Sequence, residues 1–162
     1  MFVEMLNSSG GGGGSVEIFP LSAISAGNQE SSNPASNAAN SLLTNRYSSS
    51  YNQLTYLELT PYAGSVCVNA IYASIGADLI SDCHGQDFTA KIQGYNGSSW
   101  VDIDTLSYTA AEADTRIGSV KTINNTTAYT KYRFVYQSYT QKQNSGTRQY
   151  CGMCFIELLN VS

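Results

Sequence analysis

Residues 87–104 read DFTAKIQGYNGSSWVDID, and this stretch decides the fold class. Its first half alternates apolar side chains with polar ones, Phe88, Ala90 and Ile92 against Thr89, Lys91 and Gln93. A period of two is typical of a half-buried strand. Asn96-Gly97 is a strong signal for a tight hairpin turn, so residues 100–104 are predicted to return as the partner strand.

Short segments of the same kind, separated by turns, follow one another along the chain. Strands are predicted at residues 16–19, 54–61, 65–74, 116–122, 131–139 and 151–161. The segment 65–74 is expected to place Val66, Val68, Ala70 and Tyr72 on one face. About seven short strands without a long helical stripe predict an all-β sandwich.

Length and charge exclude several classes of protein. The 162 residues suffice for one domain. Only 12% of them are charged, which excludes a coiled coil and a charge-driven disordered chain, and a net charge of −4 argues against nucleic acid as a partner. The first 115 residues carry eleven acids and two bases, whereas the remainder carries six bases and one acid. We interpret this asymmetry as charges that neutralise one another when the strands interleave.

The N-terminal segment differs from the rest of the sequence. We predict an arm or loop plus a first strand in residues 1–30, with a loop rich in Ser, Asn and Gly after that strand, and a sandwich domain in residues 31–162. Five consecutive glycines, Gly10–Gly14, form a flexible hinge. No Gly-Lys-Ser/Thr follows them, so they are not a phosphate loop. The arm is either a tether for assembly or a mobile end.

Targeting signals are not apparent. No apolar run approaches the roughly 18 residues that span a bilayer, and the first residues lack the basic and apolar regions of a secretory signal. We therefore expect no membrane span. The expected location is the cytoplasm of the producing cell or a virion released by lysis.

Five features, in order along residues 33–161, carry a resemblance to a known family. They are the loop Asn33–Asn40, the strands Tyr56–Leu59 and Val68–Ala73, the Gly-containing hairpin Gln93–Trp100, and the closing strands Tyr129–Val135 and Phe155–Leu159. Their order resembles the discoidin, or coagulation factor type C, family of galactose-binding-like jelly rolls, which includes many bacterial carbohydrate-binding modules. The resemblance implies a jelly-roll β-sandwich that binds glycans through its end loops.

Three predicted loops carry the residue types that sugar recognition needs, namely rings for the C–H face of a sugar and planar polar groups for its hydroxyls. They contain Arg46 and Tyr47; Asp82, His84, Gln86 and Asp87; and Tyr139, Gln143, Asn144 and Arg148. The resemblance implies a histidine, an asparagine, an arginine and an aromatic as ligands: His84, Asn144, Arg46 or Arg148, and Tyr139 or Tyr47. In the alternative, purely structural interpretation, the arginines pair with carboxylates and the tyrosines cover sheet edges.

Cofactors and catalysis find little support in the sequence. Cys151-Gly-Met-Cys154 could bind zinc together with Cys67, Cys83 or His84, but buried thiols that pack as small apolar groups are the favoured interpretation. Many members of the family that the sequence resembles hold a structural calcium ion near the first loop. Asn40-Ser41 replace the family's Asp-Gly there, so no cofactor is predicted, and a structural calcium ion is kept as the disfavoured alternative. One histidine without paired carboxylates predicts a non-enzyme.

Two functions remain open at this point. The first is non-catalytic binding of a cell-surface glycan. The second is a structural or adhesive role in a bacteriophage or prophage particle, as a fibre, decoration or tail component whose N-terminal arm forms a homo-oligomer or contacts other virion proteins. The two are compatible, since a virion component can recognise glycans.

Overall fold

Fourteen short strands and two helical turns make up the part of the chain that the structure describes. The structure is a computed structural model, and it describes residues 14–29, 31–39, 47–50, 52–75, 83–113, 118–146 and 148–162. The elements are β1 (Val16–Phe19), β2 (Leu21–Ala26), the 3-10 helix η1 (Ala35–Ala39), β3 (Tyr47–Ser48), β4 (Tyr56–Pro61), β5 (Ala70–Ser74), β6 (Cys83–Gly85), β7 (Phe88–Tyr95), β8 (Trp100–Tyr108), α1 (Ala110–Ala113), β9 (Ser119–Thr122), β10 (Tyr132–Tyr136), β11 (Gln141–Gln143), β12 (Gln149–Tyr150), β13 (Gly152–Met153) and β14 (Phe155–Val161).

Two antiparallel sheets form the body of the molecule. One has five strands in the order β2-β4-β10-β7-β8, and the other has four in the order β1-β14-β5-β9. A single hydrophobic cluster contains buried side chains from both sheets. The predicted all-β sandwich is therefore confirmed. The described residues also form two smaller sheets, with the strand orders β12-β11-β6 and β13-β3.

The hairpin of β7 and β8 forms where the sequence predicts it. Buried side chains alternate with partly exposed ones along all of β7. In the turn, Asn96 Oδ1 accepts two backbone N–H groups at 3.0 and 2.9 Å, and Gly97 has a φ of 100°, which favours glycine. β8 extends beyond the predicted residue 104, because Leu106 and Tyr108 continue the buried face.

Buried tyrosines carry hydrogen bonds across the core. Tyr132, Phe134 and Tyr136 of β10 all face inward. The hydroxyl of Tyr132 donates to Val66 O at 2.6 Å and accepts from Val68 N at 3.2 Å. Since Tyr132 belongs to the five-stranded sheet and residues 66–68 lead into β5 of the other sheet, this side chain ties the two layers together.

The strand predicted at residues 65–74 differs from the observed one. β5 covers only its second half. The expectation of one buried face is also wrong, because Ile71 and Ala73 are buried as well as Ala70, while Tyr72 is partly exposed. β5 lies between β14 and β9 in the sheet and is buried on both faces, so no period of two could mark it.

The predicted boundary at residue 30 falls inside the sandwich. β1 pairs with β14 in the four-stranded sheet, whereas β2 pairs with β4 in the five-stranded sheet. Pro20 separates the two strands, where a residue without a backbone N–H is tolerated as the chain leaves one sheet for the other. Residues 21–26, predicted as loop, are thus a strand. Residues 1–13, which include most of the glycine run, lie outside the described residues.

Ion pairs confirm the predicted neutralisation between the two halves of the chain. Glu58 Oε1 accepts Lys131 Nζ at 2.9 Å, and Glu58 Oε2 accepts Arg133 Nη2 at 3.0 Å. Burial alone would raise the pKa of Glu58, but the hydrogen bonds and positive charges of the two cations outweigh burial and lower it. Lys121 with Glu112, at 2.6 Å, is a further pair between the halves, whereas Lys91 pairs with Asp102 at 2.8 Å within the first half.

The C-x-x-C segment is part of the core. Cys151 and Cys154 are buried, and burial raises the pKa of the Cys151 thiol to about 12. A zinc ligand must be a thiolate, so this environment disfavours metal binding. The interpretation of these residues as small buried apolar groups is confirmed. Among the described residues, no helix has the length and hydropathy needed to cross a membrane.

Candidate functional site

A three-stranded sheet extends beyond the start of β7 and the end of β10. In its register, Lys142 of β11 lies opposite His84 of β6 and also opposite Gln149 of β12. Directly opposed residues of antiparallel strands point to the same face, so these three side chains form one outward row. The alternate row is buried and consists of Gly85, Gln141 and Tyr150.

The turn between β11 and β12 presents Asn144. Gly146 N donates to Gln143 O at 2.8 Å, and Gln143 N donates to Arg148 O at 2.9 Å. Gly146 has a φ of 77°, which glycine adopts without steric cost. The hairpin therefore places Asn144 in an exposed position at its tip.

His84 and Asn144, sixty residues apart in sequence, meet in a hydrogen bond of 3.0 Å between Nδ1 and Oδ1. Because an amide oxygen only accepts, this orientation of Asn144 places the hydrogen on Nδ1 of His84. In neutral His84, Nε2 is then an acceptor, and Nδ2 of Asn144 is a donor. Both side chains are exposed. We name His84, Lys142, Asn144 and Gln149 the end-sheet surface.

Contacts on both sides hold the small sheet in place. Thr140, immediately before β11, is fully buried, and its hydroxyl accepts Gly152 N at 2.8 Å and donates to Tyr150 O at 3.3 Å. On the other side, Asn52 N donates to Gln149 O at 2.9 Å, and Asn52 Oδ1 accepts Gln149 N at 3.0 Å. The outward row therefore rests on a backbone that is fixed by the core.

Apart from Tyr47, the other predicted ligand residues either lie beside the strands of the small sheet or fall outside the described residues. Gln86 is half-buried, and its Nε2 donates to Gly85 O at 2.8 Å. Tyr139 is partly buried against the core, and Arg148 is exposed beside β12. Gln86, Tyr139 and Arg148 each lie within two residues of β6, β11 or β12, the strands that carry the end-sheet surface. Two predicted residues, Arg46 and Asp82, lie outside the described residues.

Tyr47 requires a correction, because its side chain is fully buried. It belongs to β3, which pairs with β13, and its hydroxyl donates to Asn28 O at 2.7 Å. Burial raises the pKa of Tyr47 above its ordinary value. The ring has no face available for a sugar, so Tyr47 is a core residue and is removed from the candidate ligand set.

Lys142 and Gln149 were not among the predicted ligand residues. Lys142 lies opposite His84 through the pairing of β11 with β6, which joins segments far apart in the sequence, whereas Gln149 lies opposite Lys142 within the hairpin of β11 and β12. The sequence did contain one local signal, since Lys142 precedes Asn144 by two residues and a strand places such residues on the same face.

Metal ligands do not gather in the part of the chain that the structure describes. No three side chains of His, Cys, Asp or Glu there could hold an ion together. The positions Asn40 and Ser41, which bear on the calcium question, lie outside the described residues.

A separate cleft of about 440 Å³ is lined by the start of β7, the end of β8, Glu112 of α1 and Lys121 of β9. The Tyr108 ring stacks on Phe88 with centroids 4.7 Å apart, and Lys121 Nζ lies 5.0 Å from the Tyr108 centroid. Tyr108 is buried, and its hydroxyl has no hydrogen-bond partner among the described residues. Its pKa is raised by burial and by the nearby Glu112 carboxylate.

Comparison with known proteins places the fold. No family model matches the chain, and no curated protein matches it. Among solved structures, it is similar to the family 32 carbohydrate-binding module of NanJ from Clostridium perfringens in complex with galactose, with a TM-score of 0.68 and 12% identity over 90% of this chain and 100% of that one. It is also similar to CpGH89CBM32-5 from the same organism, in complex with GalNAc-β-1,3-galactose, with a TM-score of 0.66 and 12% identity over 88% and 99% of the two chains.

A third similar structure is the family 32 module of AlyQ in complex with 4,5-unsaturated mannuronic acid, with a TM-score of 0.64 and 13% identity over 88% of this chain and 97% of that one. These matches confirm the jelly-roll sandwich and, at the level of fold, the discoidin-like resemblance predicted from the sequence. At 12 to 13% identity the likeness establishes the shared fold.

Proposed function

We propose that this protein binds a glycan without altering it, and that the end-sheet surface is its binding site. The observation that carries the proposal is the exposed, hydrogen-bonded pair of His84 and Asn144. It offers an acceptor, Nε2 of the neutral imidazole, next to a donor, Nδ2 of the amide. Neighbouring hydroxyls of a sugar ring each donate and accept, so they complement such a pair.

The surroundings of this pair suit a shallow polar site. Gln149 and Lys142 extend the row of polar groups, and Tyr139, Gln86 and Arg148 border it. The half-buried Tyr139 is the proposed apolar contact for the C–H face of the ring. Two of the similar structures hold galactose or a galactose-containing disaccharide. We therefore propose galactose-type sugars as the first ligand class to test.

The chemistry of the end-sheet surface supports the proposal of binding without catalysis. Hydrolysis of a glycosidic bond ordinarily uses two carboxyl groups on either side of it. The four side chains that define the surface are an imidazole, an ammonium and two amides. They supply hydrogen bonds and positive charge, which favours recognition. One such shallow site gives weak binding, and attachment to a glycan-coated surface would draw on several copies acting together.

The test is a glycan array followed by calorimetric titration with galactose and GalNAc. His84→Ala and Asn144→Ala each remove one hydrogen-bonding partner, and we expect affinity to fall about tenfold in each. The matched control is Asn124→Ala, an exposed asparagine after β9 at the opposite end of the sandwich. A folded protein that is silent across a broad array would contradict the proposal, as would equal binding by all three variants.

A further inference from the structure

The ion pairs of the sandwich single out one lysine. All four lysines of the sequence lie in the described residues, and three are bound to carboxylates at 2.6 to 2.9 Å: Lys91 to Asp102, Lys121 to Glu112 and Lys131 to Glu58. Lys142 makes no ion pair with any residue that the structure describes. Among the four lysines, Lys142 is therefore the one whose ammonium has no carboxylate partner in the described part of the chain.

This ammonium belongs to the end-sheet surface. Lys142 stands directly opposite both His84 and Gln149, on the same face, where opposed Cβ atoms are about 5 Å apart. The hairpin segment 139–150 contains Lys142 and Arg148 and no acidic residue. Asp87 is the described acidic residue that follows β6 in the sequence. Its Oδ1 accepts a hydrogen bond from Ala110 N at 2.6 Å, so this carboxylate is engaged at the start of α1.

Among the described residues, an ammonium without a carboxylate partner thus sits beside the His84–Asn144 pair, on a chain whose net charge is −4. We infer that the sugar bound at the end-sheet surface is a uronic acid, and that Lys142 Nζ binds its carboxylate. The inference rests on the proposed function and specifies its ligand class. His84 and Asn144 bind the ring hydroxyls, while the flexible four-carbon stem of Lys142 lets its ammonium reach a carboxylate at the edge of the ring.

Three sugars of one ring geometry test this inference: galacturonic acid, its uncharged methyl ester, and galactose. A charge-assisted hydrogen bond at a partly exposed site predicts that galacturonic acid binds about five- to tenfold more tightly than the ester at pH 7.5. This preference should shrink in 1 M NaCl, because salt screens the exposed charges. Titration calorimetry or chemical-shift titration measures all three affinities.

Lys142→Gln should abolish the preference for the acid over the ester, read as the ratio of the two affinities measured on the same variant. Lys142→Arg should restore part of it. The matched control is Lys91→Gln, which changes the net charge equally but removes a lysine paired on the five-stranded sheet, and it should keep the preference. Circular dichroism verifies that each variant is folded.

The possible failures separate the two proposals. Equal binding of acid and ester, or an acid preference that survives in Lys142→Gln, overturns the inference about Lys142 while the glycan-binding proposal stands. If galactose binds and galacturonic acid does not, the inference about Lys142 is likewise overturned while the glycan-binding proposal stands. If none of the three sugars binds and the array is silent, the proposed function fails, and the inference fails with it.

Discussion

Four tyrosine-to-phenylalanine substitutions should have very different effects on stability, because the four hydroxyls differ in their partners. In Tyr132→Phe the Val66 carbonyl keeps a second donor, Tyr129 N at 3.0 Å, but Val68 N loses its acceptor inside the core. An unsatisfied buried N–H costs about 1–3 kcal/mol of the free energy of unfolding. For a chain of this size, that lowers Tm by roughly 2–12 °C.

The opposite result is expected for Tyr108→Phe. Its buried hydroxyl has no partner among the described residues, so removing it relieves the cost of burying a polar group. The free energy of unfolding should stay equal or rise. Tyr136→Phe, which loses one bond to Gly152 O at 3.2 Å, should fall between these two, at about 1 kcal/mol of destabilisation.

Urea denaturation followed by circular dichroism measures the series, with Tyr95→Phe as the control. The Tyr95 hydroxyl bonds to Gly97 O in an exposed turn, so its loss should change stability by less than about 0.5 kcal/mol. The reasoning is refuted if Tyr132→Phe is as stable as the wild type, or if Tyr108→Phe is the most destabilised of the four. Either outcome would mean that these hydrogen bonds do not set the order.

Two further predictions concern packing and pH. A Cβ at Gly94 would overlap the ring of Tyr129, so Gly94→Ala should destabilise the protein by about 1–3 kcal/mol, whereas Gly152→Ala, whose Cβ meets its nearest atoms at 3.6 Å, should be tolerated much better in thermal melts. Burial raises the pKa of Tyr132 to about 12. It also raises the pKa values of Tyr47, Tyr108 and Tyr136. Above pH 10 a tyrosine in the unfolded chain releases a proton that the buried tyrosine of the folded protein retains. The free energy of unfolding, which is constant in this respect below pH 10, therefore falls toward pH 12. The decrease is about 1.4 kcal/mol per pH unit for each such tyrosine. Urea midpoints at pH 9, 10 and 11 check this, and a flat profile would contradict it.

Local patterns predicted the sandwich well where one face of a strand is buried and the other is wet. β7 and β10 are such strands, and both were predicted nearly in full. The pattern fails for β5, where both faces are buried, and for β2, whose sequence LSAISA carries too little contrast between its two faces. An apolar–polar alternation in the sequence arises when the two faces of a strand differ in solvent exposure. A strand whose faces do not differ in exposure lacks this alternation and is not predicted from it.

The candidate site was predictable in residue type but only partly in composition. His84 and Asn144 stood out as planar polar groups in predicted loops, and they do meet. Tyr47 has the same chemical character, yet it is buried, because the pairing of β3 with β13 turns it inward. The placement of Lys142 beside His84 could not be predicted from local sequence, because it depends on the register between β6 and β11, which are distant in the chain. Residue type suggests what a side chain can bind, whereas long-range pairing decides whether it faces a ligand.

The end-sheet surface also owes its suitability for binding to what lies beneath it. A loop that orders only on contact with a ligand loses affinity to the entropy of ordering. Here the hairpin that carries Asn144 is paired to β6, and the buried Thr140 hydroxyl fastens its first strand to Gly152. His84 and Asn144 are therefore held by their own hydrogen bond and by the backbone register in the protein without ligand, which favours the proposed binding of a sugar there. An inward row packed in the core thus fixes the spacing of an outward row of polar groups, and hydrogen-bond recognition of a small, heavily hydrated ligand depends on that spacing.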